Sequence, residues 1–213
     1  MDTGDLALAQ AAARGEGKAR RRLADRLLDR VRATIGYLTG GDQELDDMVQ
    51  LAMVEIIRSA HTFRGEGPLV AWADRIAVRT AMRMLRKRSG QEKVAAGPDI
   101  CAVADARLAD QGKNAETLNC PVFPTAAECQ EQRMMRMQLR KRLALHLQKL
   151  GEAQRTAVVL RWVYGYKLKE IAALTDTPVN TVRDRLQTGR KKLLKIVARD
   201  PVLQDWQPGR AHA

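Results

Sequence analysis

Residues 170–186 read EIAALTDTPVNTVRDRL, and the fold of the chain turns on that stretch. Leu168, Ile171, Ala172 and Leu174 fall on one face of a short helix. Asp176 lies in a turn, where its short polar side chain tolerates left-handed backbone better than most residues do. Thr177 suits an N-cap and Pro178 the first helical position after it. Val179, Val182, Leu186 and Leu193 then recur at helical spacing. Two amphipathic helices meeting across a tight turn make a helix-turn-helix.

The other face of the second helix is polar: Asn180, Thr181, Arg183, Asp184, Gln187, Thr188, Arg190 and Lys191. Residues 178–199 hold seven basic side chains against Asp184 alone, a net +6 that favours a polyanion. Arg and Lys suit guanine edges and phosphates, whereas Asn and Gln suit adenine. Early positions of a recognition helix lie deepest in the groove and later ones near the backbone. Thr181, Arg183, Asp184 and Gln187 are therefore expected at bases, and Arg190 and Lys191, on to Lys195, mostly at phosphates. The competing reading is a solvated basic face on a plain helical hairpin.

The rest of the chain agrees with a helical, DNA-facing protein. It has 213 residues, room for one ordinary domain or two small ones. Hydrophobic residues make up 45% but aromatics only 4%, so cores of Leu, Ala, Val, Ile and Met are expected, which suit helix packing. The formal net charge of +12 points to DNA, RNA or an anionic surface. No run of 18 apolar residues occurs, and the first residues begin acidic without an export pattern, so a cytoplasmic location is expected.

Working toward the N-terminus, helices are expected over 5–13 and 18–38, the second with Leu23, Leu27, Val31, Ile35 and Leu38 inward. Asp42 can cap the next helix, whose apolar side carries Leu45, Met48, Val49, Ala52, Met53, Ile56 and Ile57. Residues 42–60 hold five acids against Arg58, a net −4, which suggests a protein partner. A fourth helix runs from about Leu69 to Arg88, and there Arg75, Arg79, Arg83 and Arg86 form one stripe able to follow a phosphate backbone. Residues 89–127 lose the periodicity, gain Gly and Pro and carry a net −2, a linker with at most a short turn near 105–110. Helices resume near Ala126 with a cluster of Met134 and Met137 that reads as core or interface filling. The tail from Asp200 has two prolines and is expected to fray. Cys101, Cys120 and Cys129 are widely spaced, with no CxxC and no nearby His; unpaired thiols fit best, with a metal- or redox-responsive linker as the alternative.

The residues from Leu147 to Leu193 resemble the −35-binding domain of bacterial sigma-70 family factors. The resemblance rests on Leu150, Arg155, Leu160, Arg161, Gly165, Glu170, Ile171, Ala172, Pro178, Val179, Thr181, Val182, Arg183, Arg185 and Leu186. Gly151 stands for the usual Pro, Lys167 for a common Ser and Asp176 for the usual turn Gly. Residues 42–88 are similar to the second region of the same family, through Asp46, Asp47, Val49, Gln50, Phe63, Ala71, Trp72, Arg75, Ile76, Ala77, Leu85 and Arg86. Positions 79 and 83 are often Asn and Asp in that family; here both are Arg. LuxR-like regulators share a comparable helix-turn-helix, but the first half decides between them. The order of the two matches is that of the extracytoplasmic-function group.

The resemblance implies an all-α protein of two domains. Residues 1–88 would bind core polymerase and the −10 element, 89–127 would be a flexible linker, 128–199 would read the −35 element, and 200–213 would be a tail. It implies that Asp46, Asp47, Gln50 and Met53 dock on the clamp helices of the polymerase β′ subunit, with the β subunit also contacted. It implies that Trp72, Arg75, Arg79, Arg83 and Arg86 engage −10 DNA. Trp72 is either a core residue or a stacking residue at the melted strand. The partners implied are core RNA polymerase, promoter DNA and an anti-sigma protein, with no membrane insertion, no cofactor, no metal and no catalytic residues. Two rivals remain: a dimeric operator-binding regulator, for which no dimerisation heptads are visible, and a nucleic-acid enzyme, for which no Walker loop, paired-carboxylate motif or nucleophile-His set is visible.

Overall fold

The computed structural model describes residues 3–41, 44–88 and 130–200. Among the described residues every regular element is helical. The chain divides into two compact units. Asp42 as a cap, the linker 89–127 with its short turn and three cysteines, and the tail beyond Asp200 lie outside the described residues.

The first unit contains α1 (Thr3–Ala13), α2 (Gly17–Thr39), α3 (Leu45–Arg58) and α4 (Leu69–Arg88). A 3-10 turn, Ser59–Thr62, joins α3 to the loop before α4. The stripe expected on α2 is realised: Leu23, Leu27, Val31, Ile35 and Leu38 are all fully buried. Helix α2 stops at Gly40, which adopts the left-handed region (φ 83) and returns its N–H to Gly36 O at 2.8 Å. Met48, Val49, Ala52 and Ile56 of α3 and Leu69, Ile76, Ala77, Val78, Ala81 and Leu85 of α4 complete the core.

One charge lies inside that core. Asp74 of α4, 2% exposed, accepts from Arg30 Nε of α2 at 2.9 and 3.0 Å, and a second Arg30 nitrogen makes the pair bidentate. Thr34 Oγ1 donates to the same carboxylate at 3.0 Å. Burial pushes the Asp74 carboxyl above its ordinary range, and Arg30 and Thr34 pull against that shift without reversing it. Asp74 is the one acidic residue in the otherwise basic stretch 69–88. The structure turns it inward, so the outer face of α4 is not diluted by it.

The second unit contains α5 (Gln130–Gln148), α6 (Glu152–Val158), α7 (Leu168–Thr175) and α8 (Val179–Val197). Helix α6 widens into a π turn over Val159–Val163, closed by Tyr164 N–H to Val159 O at 3.2 Å. Leu147, Leu150, Val158, Val159, Leu160, Ile171, Val182 and Leu186 are buried. Helix α8 meets α6 at Gly189, where a Cβ would lie 2.7 Å from Val158 Cγ2. A mid-helix glycine costs up to about 1 kcal/mol against Ala, and this close approach explains why one is there. Beyond the helix, Asp200 is buried against α5: Arg142 Nη1 donates to its two oxygens at 3.0 and 3.1 Å, and His146 Nε2 lies 2.6 Å from Oδ2.

Two local expectations shift. Helix α8 begins at Val179, with Pro178 still extended (φ −55, ψ 142), so the cap falls one residue later than Thr177. Met134 and Met137 are more than half exposed, so packing within the unit does not account for them.

Candidate nucleic-acid and partner interfaces

The outer face of α3 is acidic at its start and apolar further along. Asp46, Asp47 and Gln50 are exposed, and Asp46 Oδ1 pairs with Arg32 of α2 at 2.7 Å. Met53 is a correction: it is 8% exposed and sits with Met48, Val49, Ala52 and Ile56 in the core, which leaves it little surface for a partner. Leu51 and Val54 are 43% and 45% exposed instead. With Asp47 and Gln50 they follow the i, i+3, i+4, i+7 pattern of one helix face. The sequence carried a signal for them: both fall off the apolar stripe of α3, so their outward placement is what helical periodicity requires.

Helix α4 is enclosed on most sides and leaves a narrow outward row. Arg83 is exposed and Arg75, Arg79 and Arg86 are partly exposed. Trp72 stands at the N-terminal end of this helix. Its Nε1 donates to Thr62 Oγ1 at 3.2 Å, and its ring meets Phe63 at a centroid distance of 5.5 Å and a tilt of 54°. It is partly exposed, neither sealed in the core nor loose on the surface.

The helix-turn-helix is built as its sequence requires. Asp176 takes φ 48 and ψ 48, the one non-glycine with positive φ among the described residues. The Glu170 carboxylate accepts the Lys167 backbone N–H at 2.6 Å. That is the half of a capping box open to a lysine cap, since an ammonium has no acceptor. Arg185 Nη1 donates to Thr177 Oγ1 at 3.1 Å and braces the turn from the second helix. Opposite the buried Val182, Leu186 and Gly189, α8 exposes Arg183, Asp184, Gln187, Arg190 and Lys191, with Thr181 half-buried beside them. Arg183 Nη1 donates to Asn180 Oδ1 at 3.3 Å. Lys192 is tied instead to Gln154 Oε1 of α6 at 3.1 Å. Among the described residues no group of three or more His, Cys, Asp or Glu could hold a metal ion, and no helix is long and apolar enough to cross a membrane.

Two helical units, the second with an exposed basic recognition face, define a helix-turn-helix protein of the DNA-facing kind. Residues 23–91 match the family described as Sigma-70 region 2, and residues 140–193 match Sigma-70, region 4. The ECF RNA polymerase sigma-E factor of Haemophilus influenzae is 30% identical over 190 residues, covering 89% of this chain and 93% of that protein. The ECF RNA polymerase sigma-E factor of Escherichia coli K12 is also 30% identical over 190 residues, covering 89% of this chain and 92% of its own. Among solved structures, CnrH in complex with the cytosolic domain of CnrY is 23% identical, covering 92% of this chain and 98% of that one, with a TM-score of 0.42. The sigma factor RpoE of Bartonella quintana, solved with the anti-sigma factor NepR, is 17% identical, covering 84% and 97%, with a TM-score of 0.44. The chain belongs to the extracytoplasmic-function group of the sigma-70 family of sigma factors.

Proposed function

We propose that this chain binds core RNA polymerase and directs it to a specific set of promoters, without catalysing a reaction itself. The observation that carries the reading is the exposed row Arg183, Asp184, Gln187, Arg190 and Lys191. It is set on a helix whose opposite face is buried, in one chain with a second, separately folded basic helix. The first unit docks on polymerase through Asp46, Asp47, Gln50, Leu51 and Val54. Acid and exposed aliphatic side chains on one helix suit a basic and apolar protein surface better than they suit DNA. The Arg stripe of α4 follows the −10 strand, Trp72 stacks at the opened bases, and α8 enters the major groove at the −35 element. Polymerase holds the two contacts at a set spacing, so each raises the effective concentration of the other. The protein works in the cytoplasm, where core polymerase is, and an anti-sigma protein keeps it inactive until a signal arrives.

The test is co-elution of the full chain with core RNA polymerase on size exclusion, followed by run-off transcription from a promoter library. A stoichiometric complex that initiates at new start sites is the expected result. Folded protein, free of any inhibitor, that forms no complex with core polymerase would sink the reading.

A further inference from the structure

The end of α3 is held by the turn that follows it. The last carbonyls of a helix have no partner within it. Here Arg58 O accepts from His61 Nδ1 at 2.9 Å, Ser59 O from Thr62 Oγ1 at 2.8 Å, and Ala60 O from the Phe63 N–H at 3.3 Å. The turn Ser59–Thr62 is thereby locked, and the Thr62 hydroxyl has its only proton committed to Ser59 O. Its lone pairs are left to accept, and the Trp72 indole N–H, which can only donate, lies 3.2 Å away. Phe63, buried, supplies the other contact to the ring. The two consecutive residues thus hold Trp72 at two points, a polar one at its nitrogen and an apolar one at its ring, while part of the indole stays open to solvent.

From this geometry we infer that Thr62 is a positioning residue for promoter opening: its hydroxyl, oriented by Ser59 O, holds the Trp72 indole in the pose that stacks on an unpaired base. The inference rests on the proposed role of Trp72 at the −10 element. A half-exposed tryptophan without this anchor samples other rotamers, and ordering it when DNA opens costs free energy that the anchor has already spent. Thr62 need touch no nucleotide to act in this way.

The experiment compares Thr62→Val, Thr62→Ser and Trp72→Ala in holoenzyme. The readout is the rate of −10 opening on a duplex promoter, followed by 2-aminopurine fluorescence, set beside the initiation rate at saturating holoenzyme on the same promoter pre-melted from −10 to the start site, which has no opening step. Thr62→Val keeps the shape of the side chain and removes the hydroxyl. It is expected to slow opening of the duplex about fivefold, the factor set by one hydrogen bond worth about 1 kcal/mol. Thr62→Ser should return the rate to within about twofold of the parent, and neither variant should differ from the parent on the pre-melted template. Wild-type opening by Thr62→Val alongside impaired Trp72→Ala overturns the role of Thr62, as does an equal loss on both templates, which would mean general damage to the unit. Unimpaired opening by Trp72→Ala would instead remove the reading of Trp72 on which the inference depends.

Discussion

Helices α4 and α8 each carry a row of basic side chains, and they are held in opposite ways. Helix α4 buries eleven residues from Leu69 to Leu85, including the charged Asp74, and its arginines occupy the narrow strip left over. Helix α8 buries only Val182, Leu186 and Gly189, and presents a broad polar face. An element buried on most sides cannot shift without disturbing the whole core, whereas one resting on three positions is placed by the fit at those positions. The first arrangement suits a helix that must stay fixed while DNA is deformed against it. The second suits a helix that reads, since most of its surface is free to be chosen for bases.

The largest effect that would test this contrast is at Asp74. Asp74→Ala removes the buried carboxylate that Arg30 grips with two nitrogens, and should cost the first unit about 3–5 kcal/mol in urea unfolding at neutral pH. Gly189→Val should cost the second unit about 2 kcal/mol by driving a side chain into Val158. Adding Val158→Ala should recover part of that loss, a coupling that independent sites would not show. Gln187→Ala should leave both units folded and reduce discrimination at one −35 base pair by about 1–3 kcal/mol in competition binding. Arg190→Ala should weaken binding to all sequences alike and lower the slope of log affinity against log salt by about 1.

The smallest effect is in pH. Because burial holds the Asp74 carboxyl above 3.8, the folded unit keeps that proton more tightly than the unfolded chain. The resulting stability is fully present below the ordinary carboxylate range and is lost as pH rises through the raised value. Asp74→Asn should remove that component from a pH series of thermal unfolding.

Much of this was legible in the sequence because periodicity and turn chemistry are local. The apolar rows of α2 and α8, the left-handed Asp176 and the Arg row of α4 all follow from spacing within one segment. Partnership across segments was not legible. Arg30 and Asp74 are 44 residues apart, and only packing α2 on α4 reveals that they neutralise each other. Met53 shows the limit of resemblance: spacing puts it on the inner stripe, where the structure buries it, although the resemblance implied that it docks on polymerase. The outward placement of Leu51 and Val54 follows from register, since both fall off the apolar side of α3. The direction of Trp72 depended on Thr62, ten residues away, which no pattern in either segment announces.

The clamp at Asp200 has a mechanical consequence. Arg142 and His146, in the last two turns of α5, grip Asp200 just past α8, so the end of the unit's first described helix is tied to the residue that follows its last. A pull applied from the C-terminal side meets this clasp before it reaches α8. Among the described residues the clasp, ahead of α8, is therefore the first point of resistance to such a pull. Helix α8 is the first helix that such a pull reaches once the clasp has given way.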